Sequence, residues 1–191
     1  MRRLLISLGC TAVLIAPLTP LPHAAATGKC ITDPRGDTKN APQPKANYDI
    51  VGACGHRASH HRIITTVKLA GAVDNPQSPQ AYVPTLVIDV PGQKFDNPTC
   101  DYFVQGAPPG VGANHTNHTK YYVNTCQNSG SQQVGPALVT RISKHVMKVV
   151  IHRRAIGNPK RFGFAFSTFS DGDQPSYDRA PDKGFQHIRL R

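Results

Sequence analysis

From residue 48 onward the chain alternates short apolar runs with turn residues. The runs are "YDIVGAC", "RIITTVKLAGAV", "AYVPTLVIDV", "DYFVQG", "KYYVNTC", "PALVTRIS", "HVMKVVIHRR" and "RFGFAFSTFS". Each is rich in Val, Ile, Thr, Tyr or Phe and is bounded by Gly, Pro, Asn or Asp, the pattern of many short strands. No window carries a 3.6-residue apolar period. In a strand, successive side chains point to opposite faces. His145, Met147, Val149 and Ile151 therefore share one face, and Lys144, Lys148, His152 and Arg154 share the other. Ile63, Thr65, Val67 and Leu69 likewise share a face, and Phe162, Phe164 and Phe166 give the last long run an aromatic inner side. About eight antiparallel strands of this kind predict two packed sheets, an all-β sandwich of jelly-roll or immunoglobulin-like form.

Composition supports strands over helices. The chain has 16 Gly, 17 Pro and no Trp, and all 11 of its acidic residues are Asp. Glu, a good helix former, is absent. At the N-terminus, Arg2 and Arg3 precede an apolar run from Leu4 to Leu18, and Ala24-Ala25-Ala26 follows. This reads as a signal peptide over 1–26, cleaved near Ala26, which implies a secreted protein with no transmembrane segment. Residues 27–47 are polar and turn-rich and read as an extended N-terminal arm; 48–191 reads as a single domain. Export removes Cys10 and leaves Cys30, Cys54, Cys100 and Cys126, an even number that predicts two disulfides. Three pairings are possible. Joining sequence neighbours, Cys30 with Cys54 and Cys100 with Cys126, closes two loops of similar length and is the favoured one.

The order of features resembles secreted bacterial β-sandwich modules of the DOMON and family-9 carbohydrate-binding-module type. "DPRGDT" comes early, then "YDIVGACGHRASHHRIITTVKLAG", a strand ending in Asp, and finally "FGFAFSTFSDGDQPSYDRAPDKG". The resemblance implies a sandwich and a binding role. Fold analogy does not name a ligand.

Four constellations carry candidate chemistry. "CGHRASHHR" brings His56, His60 and His61 close together between two strands. Zinc needs converging ligands; adjacent His60 and His61 point apart on an extended chain, and Arg57 and Arg62 oppose a cation, so this is a surface turn. The long loop 106–120 holds His115 and His118 and leads into Tyr121 and Tyr122, one of which would face outward as a stacking platform. The tail 171–184 holds Asp171, Asp173, Asp178 and Asp182, hard oxygen ligands suited to calcium, and Asp33 and Asp37 of "DPRGD" could join them if the chain ends meet. Finally, Arg141, Lys144, Lys148, His152, Arg154, Lys160 and Arg161 form a cationic patch on a chain of net charge +11. Such a patch attracts polyanions. Outside a cell these are wall polymers or acidic polysaccharides rather than nucleic acid.

The expected function is a secreted, non-catalytic binding or surface-interaction module. Its cationic sheet face would engage an anionic extracellular polymer or a protein partner. The alternative is a carbohydrate- or calcium-dependent module using loops 106–120 and 171–184. No nucleophile is tied to a base, and no cofactor other than calcium is expected.

Overall fold

A computed structural model describes residues 28–57, 59, 61–78, 82–93, 95, 100–107, 119–168 and 177–190. The expected signal peptide, His60, His115, His118, Asp171 and Asp173 lie outside the described residues. The strands are β1 (Lys29–Thr32), β2 (Ile50–Arg57), β3 (Arg62–Leu69), β4 (Thr85–Asp89), β5 (Tyr102–Ala107), β6 (Lys120–Thr125), β7 (Gln133–Ser143), β8 (Val146–His152), β9 (Arg161–Thr168), β10 (Asp178–Ala180) and β11 (Gln186–Arg189). Short 3-10 turns occupy Lys45–Asn47 and Arg153–Ile156. No helix among the described residues is long and apolar enough to cross a membrane.

The expected all-β, antiparallel chain with two disulfides is what forms. The pairs are Cys30–Cys54 and Cys100–Cys126. The eight apolar runs become β2 to β9. The two-sheet sandwich of about eight strands gives way to one continuous sheet of eleven strands among the described residues. Its order is β1-β2-β3-β8-β7-β6-β5-β4-β9-β10, with β11 also on β9. The physical reason is that every strand along this path hydrogen-bonds to its neighbours, so no break separates two layers. The sheet coils until β10 and β9 approach β2 and β11 approaches β1, giving a nearly closed barrel. The N-terminal arm also changes character: its residues 29–32 form an edge strand, with Cys30 directly opposite Cys54 on β2.

Alternation fills the barrel. Ile63, Val67, Leu69, Met147, Val149, Ile151, Phe162, Phe164 and Phe166 all point inward and are buried. Two crossovers join strands that are not neighbours in the sheet. After β3 the chain crosses to β4, tied down by Val73 N–H donating to the Lys144 carbonyl and Tyr121 Oη–H donating to the Pro76 carbonyl (2.9 Å). Tyr121 is therefore an inward, buried ring, and Tyr122 is the half-buried one of the pair. After β8 the chain crosses to β9, and Ile156 is buried in the core there. Where β2 meets β9, Gly55 leaves room that a Cβ would fill, since that atom would stand 2.8 Å from Phe164 Cε1. The close approach needs a residue without a side chain.

Candidate functional site: a cationic cleft and an acidic cluster

The predicted cationic patch is partly scattered by the fold. β8 alternates as expected: Lys148 and His152 lie on its outer side while Met147 and Ile151 are buried. Arg141 does not join them. It stands in register with inward Met147, and its Nη1 donates to the Val73 carbonyl (3.2 Å). Lys144 sits in the β7–β8 turn, at the opposite end of β8 from His152. Lys160 and Arg161 are exposed at the start of β9, where Arg161 faces Arg189 of β11.

Two of the predicted residues, His152 and Arg154, meet partners that sequence order separates from them. β3 pairs antiparallel with β8, placing Arg62 directly opposite His152. Backbone bonding fixes this corner: Arg153 N–H donates to the His61 carbonyl (2.9 Å). Arg153 Nε–H donates in turn to the Pro159 carbonyl (2.9 Å). The outcome is an open cleft of about 490 Å³ lined by Ser59, His61, Arg62, His152, Arg154 and Asn158. Among the described residues no carboxylate lines it. His187 pairs with Asp89 (4.0 Å), and neither residue belongs to the cleft. Two guanidinium groups and two imidazoles thus share a solvent-open concavity with a hydroxyl and an amide. That donor set suits a sulfate, phosphate or carboxylate group.

The acidic residues gather at another place, on the seam where the barrel closes. Asp33 follows β1, Asp37 ends the "DPRGD" turn, and Asp178 begins β10. Carboxylate oxygens of these three residues lie within 4.8 Å of one another. Gly36, at φ +87°, allows the turn to double back, and its N–H donates to Asp49 Oδ2 (2.9 Å). Asp178 bridges the seam: its Oδ2 accepts from Ile50 N–H on β2 (2.5 Å) and its Oδ1 from Arg179 N–H (2.7 Å). The chain ends therefore meet at Asp33, Asp37 and Asp178. Exposed Asp182 is outside this tight group, though its charge acts on Asp33.

Burial and crowding shape the ionisation. Burial first, then the charges of Asp178, Asp37, Asp182 and Asp49, push Asp33 up to about 7. Burial pushes Asp178 up to about 6 against the opposing N–H bonds from Ile50 and Arg179. Burial also raises Asp49 and Asp101.

A carboxyl with a raised folded pKa binds its proton more tightly when folded. Its stabilisation is full at low pH and is lost as pH rises from about 4 to about 7. Asp33→Asn has no proton to lose there. In metal-free buffer this variant is expected to be more stable than the wild type at about pH 8, with the gap closing toward pH 4. Urea titrations of both proteins across that range check it; a gap that does not change with pH contradicts the sign.

The chain matches no family model, no curated protein and no solved structure.

Proposed function

We propose that the protein is a secreted, non-catalytic binding module whose cleft at the β3–β8 corner takes an anionic group of an extracellular polymer. The observation that carries this reading is the cleft itself, with His61, Arg62, His152 and Arg154 lining one concavity and no carboxylate among them. A net charge of +11 adds long-range attraction for a polyanion. Export is supported by the basic-apolar N-terminal pattern and by two disulfides, which persist in oxidising compartments. Outside the cell, acidic polysaccharides and wall polymers are the anions of matching chemistry.

A protein partner is the second reading, and one observation favours it. Leu138 and Ile142 are each 55% exposed on the outer side of β7, next to the strand that carries Lys148. Apolar groups in such a position gain more from a protein surface than from a polysaccharide.

The cleft reading is tested by paired charge reversal. The variant Arg62→Glu with Arg154→Glu is expected to leave a sulfated-polysaccharide column at clearly lower salt than the wild type. Lys144→Glu, at the other end of β8, is expected to shift elution much less. Equal shifts from both variants would mean that net charge, and not the cleft, governs binding.

A further inference from the structure

We propose that Asp33, Asp37 and Asp178 form a divalent-cation site of the calcium class, clamping the segment after β1 to β10 across the barrel seam. Three observations carry it. First, the three carboxylates offer oxygen atoms within 4.8 Å of one another. Calcium binds oxygens at about 2.3–2.6 Å, so two ligands on opposite sides of one ion stand about 5 Å apart. The cluster has the size of a single coordination sphere. Second, Asp33 is only 6% exposed and its Oδ2 has no hydrogen-bond partner, while a carboxylate oxygen of the same side chain belongs to the cluster. Buried Asp37 Oδ1 and Asp49 Oδ1 are unpartnered too. A buried carboxylate oxygen left without a partner is costly, and a bound cation removes that cost. Third, the Arg179 guanidinium is engaged elsewhere and does not neutralise the cluster by contact. Arg179 directs its Nη1 to the Pro181 carbonyl and its Nη2 to the Gly184 carbonyl, and its guanidinium lies over the Phe185 ring.

The donor set selects the metal class. All three ligands are hard oxygens, with no imidazole or thiolate, which favours calcium or magnesium over zinc or copper. Asp178 contributes while its two oxygens hold N–H groups of Ile50 and Arg179, so the carboxylate is already oriented when the ion arrives. Calcium tolerates such irregular sites better than magnesium, which demands near-octahedral geometry. The site is separate from the cationic cleft, and neither depends on the other.

The test is calorimetry on the intact, disulfide-bonded protein, stripped with chelator and titrated with calcium chloride at neutral pH, with thermal melts in parallel. The wild type is expected to give a saturable single-site heat and a melting temperature that rises with calcium, as mass action requires of a ligand bound only by the folded state. Asp33→Asn is expected to lose both responses and keep its circular dichroism. Asp182→Asn, which lies outside the three ligands, is expected to keep both. If Asp33→Asn fails to fold, half-buried Asp37→Asn replaces it with the same expectation. Absence of heat and of any melting shift in folded wild type overturns the site. An undiminished calcium response in the ligand variants overturns it as well.

Discussion

Replacing Phe164 by alanine is expected to destabilise the protein by about 3–5 kcal/mol, the range for deleting a buried aromatic ring. Phe164 sits at the middle of β9, is fully buried, and is flanked by Phe162 at 6.3 Å between ring centres. β9 is the strand on which β4, β10 and β11 all pair. The ring also fills the space opposite Gly55, where β2 and β9 meet without a backbone ladder. A cavity there cannot be closed by a local shift, because Ile188 and the two neighbouring phenylalanines are themselves held by the sheet. Domains of this size have total stabilities of about 5–15 kcal/mol, so the loss is a large part of the whole. Urea denaturation of wild type and variant measures it. A change below about 1 kcal/mol would mean that the ring is not packed as described.

The second large effect concerns the bridge between Cys100 and Cys126. Changing both to alanine is expected to cost about 3 kcal/mol, from the greater entropy of the unfolded chain. The bridge spans 26 residues of sequence and straps together the open end of the β5–β6 hairpin. Beside it, Cys126 N–H donates to the Asp101 carbonyl (2.8 Å), and Asp101 Oδ2 accepts from Val90 N–H. The folded hairpin keeps those bonds without the bridge, so circular dichroism of the variant should match the wild type at low temperature. Its denaturation midpoint should fall. An unchanged midpoint would contradict the bridge's role in stability.

Much of this fold was legible because alternation is a local signal. The inward faces of β3, β8 and β9 follow from residues two apart, and those predictions match the burial of Val67, Met147 and Phe164. The disulfide pairing followed the same locality, since each bridge joins neighbouring cysteines. β1, β10 and β11 escaped notice because each has four residues or fewer and lies in polar, turn-rich sequence. The continuous barrel escaped for a different reason. Strand order depends on β3 meeting β8 and on β4 meeting β9, long-range pairings that no short window encodes.

The same limit divides the two sites. His152 and Arg154 could be named from the run "HVMKVVIHRR", although Arg154 falls in the 3-10 turn that follows β8 and not on the strand face expected for it. His61 in the turn and Arg62 at the head of "RIITTVKLAGAV" carry no local sign of a shared site, because only the β3–β8 pairing sets them against β8. The acidic cluster was more accessible. "DPRGD" could join the tail only if the chain ends met, and Asp33 and Asp37 do reach Asp178, while Asp182 stays outside the tight group. Asp49 carried a weak signal as an acid directly before an apolar run, and its buried position beside Gly36 shows why an acid stands there.

The proposed role of the cationic cleft is to bind an anionic polymer. Its most direct test is binding of the purified protein to sulfated, carboxylated and neutral polysaccharides at low and at high salt. Binding to the anionic polymers that collapses at high salt is the expected result, since counterion release and unscreened attraction both weaken there. Silence across the panel, or binding that ignores salt, would contradict it.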